Sequence, residues 1–102
     1  MVNAEISIIP IGTGSTSVSE YVAAAVSEFE ASGLHVTLTA TGTSVEATSP
    51  EELFGALASA QEAVFRQGAE RVYTILKMDD RRDRKSRSRE DMVRSVRESQ
   101  DS

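Results

Sequence analysis

The sequence has 102 residues, 39% of them apolar and none of them cysteine, which allows one domain with one core and excludes disulfides, thiolate metal sites and thiol nucleophiles. No apolar run approaches the roughly 18 residues of a membrane span, and no basic start leads into an apolar segment, so a cytoplasmic protein without a membrane partner is expected. The net charge of −5 is uneven: residues 81–102 hold eight of the eleven Lys and Arg against five acids, leaving residues 1–80 with three bases and eleven acids. That acidic stretch disfavours a nucleic-acid partner and suits a cationic or amine-bearing ligand.

Ala4, Ile6 and Ile8 alternate with Glu5, Ser7 and Ile9, the period of a strand with one fully apolar face. Pro10 ends it, and Gly12 and Gly14 frame a turn suited to positive φ. Val18, Tyr21, Val22, Ala25, Val26 and Phe29 then fall at helical spacing. Ser17 or Ser19 is placed to cap that helix, Ser17 with Glu20 in capping-box spacing, and Gly33 closes it. Leu34, Val36, Leu38 and Ala40 alternate with polar residues, as do Val45 and Ala47, which predicts two strands joined by a tight turn near Gly42. Ser49-Pro50-Glu51-Glu52 reads as a helix start: a Ser cap, Pro in the first helical position and acids near the positive dipole end. Leu53, Leu57, Ala60, Val64 and Phe65 supply its buried stripe, and Gly68 its end. From Arg71 to Met78 the period returns to two, with Val72, Leu76 and Met78 on the core side.

The order βαββαβ predicts an α+β, ferredoxin-like sandwich over residues 1–80: a four-stranded antiparallel sheet with two helices on one face. Residues 81–102 form a charged C-terminal tail, where a short helix around Met92, Val93 and Val96 would fray or dock on a neighbouring subunit.

The uncovered sheet face would carry Glu5, Ser7, Ile9, His35, Thr37, Thr39, Ser44, Glu46, Tyr73, Ile75 and Lys77. β-branched residues, an aromatic ring and two carboxylates suit an interface, so a homodimer or homotetramer is expected. Burying Glu5 and Glu46 calls for a partner for each, either Lys77 or an amine on a ligand.

Four segments, PIGTG at residues 10–14, SVSEYVA at 17–23, TGTSVEA at 41–47 and GAERVYTILKMDDRRD at 68–83, together resemble the thiamine-binding, YkoF-like family of small ferredoxin-like proteins, long catalogued as uncharacterised. The resemblance runs from about Val2 to Asp83. It implies a homo-oligomer, often a tetramer of paired dimers, that binds thiamine or its hydroxymethylpyrimidine portion without chemistry on it. Thr43 and Glu46 match the family's Gly-Thr and following acid, whereas Gln61 stands where the family often has His. On this reading Glu5 and Glu46 anchor the ligand at the open face near a subunit interface, close to the loops at Thr13 and Thr43. Ser17, Ser19, Thr43 and Arg81 give supporting contacts, and Tyr73 or Phe29 can stack on a flat ring.

Other chemistry has weaker support. The Gly12-Thr13-Gly14-Ser15 turn matches neither dinucleotide nor Walker loops, so it reads as a plain strand-to-helix turn. Glu5 and Glu46 lack a nucleophile, metal or further catalytic partner, so no enzyme, catalytic residue or cofactor is expected. His35 alone makes no metal site, and Asp79, Asp80 and Asp83 lack calcium-loop spacing, so no metal is expected. The basic run from Arg81 to Arg89 carries no aromatic residue and alternates with acids, as a solvated tail does. The expected function is non-enzymatic binding of thiamine or a related hydroxymethylpyrimidine compound by an oligomer. The alternative is an oligomeric regulatory or scaffold module without a small-molecule ligand.

Overall fold

The computed structural model describes residues 1–14, 18–83 and 89–101, excluding the side chains of residues 89, 90 and 101. Its elements are β1 (Val2–Ile11), α1 (Ser19–Ala31), β2 (His35–Thr39), β3 (Gly42–Ala47), α2 (Pro50–Arg66), β4 (Arg71–Asp80) and α3 (Arg89–Asp101). The fold is α+β: one antiparallel four-stranded sheet in the order β2-β3-β1-β4, with three helices. The first six elements run β-α-β-β-α-β, and α3 follows as a seventh.

Local chemistry explains most boundaries. At the end of α1, Gly33 has φ 85°, the Leu34 amide donates to the Phe29 carbonyl at 3.2 Å and the Gly33 amide to that of Glu30 at 3.0 Å. This is a Schellman closure, and its two apolar members, Leu34 and Phe29, are both buried. Ser49 caps α2 by accepting from the Glu52 amide at 3.2 Å, while Glu52 reaches back to the Thr48 amide at 3.1 Å. At the start of α1 the expected serine cap is not found. Val18 occupies the cap without a side-chain hydrogen bond, Ser19 is the first helical residue, and Ser17 lies outside the described residues.

The core lies between the sheet and the pair α1 and α2. Val2, Ala4 and Ile6 of β1 and Val45 and Ala47 of β3 pack with Phe29 of α1 and with Leu53, Ala56, Ala60 and Val64 of α2. Small residues on α2 let it lie close to the sheet and to α1. Phe65, expected in the buried stripe, is exposed, because its neighbour Val64 holds the inward position one helical step away. Gln61 accepts a hydrogen bond from the Thr74 hydroxyl and so ties α2 to β4.

The other sheet face carries the residues that alternation assigned to it, but it is not wholly open. α3 stands over part of it, with the Asn3 amide donating to the Met92 sulfur at 3.5 Å. No helix among the described residues is long and apolar enough to cross a membrane.

Candidate functional site

The antiparallel register aligns the face away from α1 and α2 in rows. His35, Glu46, Asn3 and Asp79 form one row, Thr37, Ser44, Glu5 and Lys77 the next, and Thr39, Gly42, Ser7 and Ile75 a third. Beyond these only β1 and β4 continue, with Ile9 beside Tyr73 and Ile11 beside Arg71. The face therefore passes from the charged and polar rows to an apolar stretch at Ile75, Ile9 and Tyr73, and ends at Arg71.

Glu5 turns across β3 rather than toward Lys77. Its Oε1 accepts from the Thr39 hydroxyl at 3.3 Å and the Thr41 hydroxyl at 3.4 Å. Gly42 leaves room for that reach. A Cβ there would stand 2.9 Å from the Ile6 carbonyl oxygen and 3.0 Å from Ser7 Oγ, which itself donates to the Thr41 carbonyl at 2.9 Å. The two Glu5 bonds occupy one carboxylate oxygen and leave acceptor capacity on the other.

α3 roofs the two polar rows and encloses an open cleft of about 650 Å³. Its floor carries Asn3, Glu5, Ser44 and Lys77, and its roof Met92, Val93 and Val96. That volume lies within the range of about 300–1,000 Å³ usual for small-molecule sites, and apolar walls around a few polar groups are their usual composition. Ser44 is the member that sequence reasoning passed over as a site residue. It is 3% exposed, and its Oγ has no hydrogen-bond partner. An unsatisfied buried hydroxyl costs about 1–3 kcal/mol, a penalty that a ligand hydrogen bond removes.

The residues expected to form the site fall in several places. Glu5 is on the cleft floor, and Glu46 lies on the same face, one row along and opposite His35 and Asn3. Thr43 faces the other way. It is 8% exposed and lines a separate crevice of about 240 Å³ between α1 and the β2–β3 hairpin, shared with Val22, Phe29 and Leu38. The sheet thus separates Thr43 from Glu5 and Glu46, so one small ligand in the cleft does not touch all three. Thr13 is half-buried in the loop after β1, and Ser19 is exposed at the start of α1.

Arg81 lies just past β4 and is engaged by Asp83, Nε at 3.2 Å and Nη2 at 3.0 Å. That carboxylate raises the Arg81 pKa above its ordinary value. The adjacent Arg82 guanidinium donates to Asp80 at 2.8 Å and holds the Asp80 carboxyl below the usual carboxylate range. Of the two rings considered for stacking, Phe29 is fully buried, and Tyr73 is exposed on the open face but outside the cleft lining. Among the described residues no three His, Cys, Asp or Glu side chains are grouped as metal ligands.

The sequence profile of the thiamine-binding protein family matches residues 4–97, a span that includes most of β1, the hairpin, β4 and most of α3. A UPF0045 protein of Methanothermobacter thermautotrophicus is 47% identical over 98 residues, covering 96% of this chain and 98% of its own. The UPF0045 protein YqgV of Bacillus subtilis is 39% identical over 90 residues, covering 84% of this chain and 86% of its own. Among solved structures, a hypothetical protein of the same kind from Methanocaldococcus jannaschii superimposes with a TM-score of 0.83 at 36% identity, covering 95% of this chain and 96% of that one. The chain belongs to the thiamine-binding protein family.

Proposed function

We propose that this protein binds thiamine or a related hydroxymethylpyrimidine compound, without chemistry on it, in the cleft between the open sheet face and α3. The observation that carries the reading is the Ser44 hydroxyl, buried and without a partner on the cleft floor, in the same row as Glu5. An aminopyrimidine offers what these two groups lack: an exocyclic amine to donate to the remaining Glu5 oxygen, and a ring nitrogen to accept from Ser44. Met92, Val93 and Val96 supply apolar contact for a flat ring, and the acidic charge of residues 1–80 favours a thiazolium cation. The family to which the chain belongs carries thiamine binding in its name, which agrees with this chemistry.

Read this way, the first six elements are a ferredoxin-like unit, and the protein is a cytoplasmic, non-enzymatic homo-oligomer. Glu46 and Arg81 serve the margin of the site rather than its floor. The scaffold reading draws on the exposed Ile9, Tyr73 and Ile75, which offer an apolar contact surface independent of any ligand.

Thermal unfolding with thiamine, hydroxymethylpyrimidine or thiamine diphosphate tests the proposal. A ligand at about 100 times its dissociation constant stabilises the native state by roughly 2.7 kcal/mol, which in a domain of this size raises Tm by on the order of 10 °C. A rise with at least one compound is expected. No rise with any at millimolar concentration overturns the ligand and leaves the scaffold reading.

A further inference from the structure

Residues 1–80 contain only three bases, and one of them, Lys77, stands on the cleft floor. From α3 a second cation, Arg97, lines the same cleft, on the helical stripe it shares with Met92, Val93 and Val96. Neither has an ion-pair partner among the described residues, whereas Arg66, Arg81, Arg82 and Arg94 each have one. Two free cations from different elements, converging on one cleft beside a buried and unpartnered hydroxyl at Ser44, offer an anion what the pyrimidine ring does not use.

We infer, building on the pyrimidine reading above, that the cleft takes its ligand as a phosphate monoester, with the ring on Ser44 and Glu5 and the phosphate on Lys77 and Arg97. Ser44, Glu5 and Lys77 occupy one row across β3, β1 and β4. Neighbouring strands lie about 4.8 Å apart, so that row runs about 10 Å from Ser44 to Lys77. A ring between Ser44 and Glu5 covers the β3 half. A hydroxymethyl group directed along the row carries its oxygen toward β4, where a phosphate on that oxygen meets Lys77. Glu5 leaves the path open, because the Thr39 and Thr41 hydroxyls hold its Oε1 on the side of the hairpin.

The chemistry of the two cations suits the ester. A phosphate monoester carries a charge of about −1.5 to −2 at pH 7 and three acceptor oxygens. The Arg97 guanidinium can donate to two of these as a planar fork, and the Lys77 ammonium meets the third as a point charge on a flexible stem. A free alcohol leaves both cations in water. Asp79 also lines the cleft, two residues from Lys77 on the same face, and repels the phosphate. Two cations against that one carboxylate leave a net positive charge for the ester.

Calorimetric titration of the full chain with hydroxymethylpyrimidine, with its monophosphate ester and with inorganic phosphate tests the inference. The ester is expected to bind about a hundredfold tighter than the alcohol, roughly tenfold for each cation, and inorganic phosphate far more weakly than the ester. Added salt should shrink the ester's advantage. Lys77→Met and Arg97→Met, both at exposed positions, should each lower the ratio of ester to alcohol affinity about tenfold, and Asp79→Asn should raise it. Ser44→Ala should weaken both compounds alike and leave the ratio unchanged. Circular dichroism establishes that each variant is folded. Equal affinity for ester and alcohol, or a ratio that neither Lys77→Met nor Arg97→Met alters, overturns the phosphate contact and leaves the pyrimidine reading standing. Inorganic phosphate that binds as tightly as the ester overturns the ester as ligand. Failure of both pyrimidine compounds to bind overturns the pyrimidine reading and this inference with it.

Discussion

Replacing Ser44 with Ala should change stability and ligand response in opposite directions. Ser44 is 3% exposed and its hydroxyl has no partner, so the ligand-free protein carries a desolvation penalty of about 1–3 kcal/mol at this position. Ser44→Ala removes the penalty along with the oxygen. The lost packing of one small atom offsets part of the gain, leaving a net stabilisation of about 1 kcal/mol. For a domain of this size that raises Tm by roughly 4–8 °C. The same change removes a hydrogen bond to the bound pyrimidine, so affinity should fall about tenfold, equivalent to 1.4 kcal/mol. Urea and thermal unfolding with and without thiamine measure both effects. If Ser44→Ala is less stable than the wild type by about 1 kcal/mol or more, the hydroxyl has a structural partner and the reasoning fails. It fails equally if the ligand-induced shift is undiminished.

Gly42→Ala places a Cβ 2.9 Å from the Ile6 carbonyl and 3.0 Å from Ser7 Oγ, so backbone must move; a loss of about 1–3 kcal/mol in urea unfolding is expected. Ser49→Ala removes the 3.2 Å cap bond to the Glu52 amide and should cost about 1 kcal/mol, read as a lower urea midpoint at unchanged slope. For Asp80, held below the ordinary carboxylate range by the Arg82 hydrogen bond, the contribution to stability is present above the unfolded pKa of 3.8 and is lost as pH falls through the lowered folded value. Carbon-detected NMR titration should place the Asp80 midpoint below 3.8, and Arg82→Gln should move it back up.

Features determined within a few residues were legible in the sequence. The Ser49 cap and the Gly33 closure depend on local geometry and appear where the pattern put them. The two-residue alternation of β1 and β4 holds too, but Pro10 does not end β1, which runs on to Ile11 where β4 alone flanks it, and Met78, expected on the core side, is 41% exposed. The start of α1 was less legible because Ser17, Val18 and Ser19 sit together and the serines on either side of Val18 both look like caps. Parity alone could have separated Thr43 from Glu46. They are three residues apart on one strand and so face opposite ways, a point the family pattern obscured.

Ser44 carried no such signal. Its significance depends on lying opposite Glu5 and beneath α3, a matter of register and of contacts distant in sequence. The position of α3 was equally hidden. Its apolar residues Met92, Val93 and Val96 are few, and nothing in their spacing indicates which surface receives them.

Amide chemical-shift mapping with thiamine tests the central claim most directly, because the cleft and the Thr43 crevice lie on opposite faces of one sheet. Binding in the cleft should perturb Asn3, Glu5, Ser44 and Lys77 together with Met92, Val93 and Val96, and leave Val22, Leu38 and Thr43 little changed. Shifts confined to the crevice, or none at millimolar thiamine, contradict it.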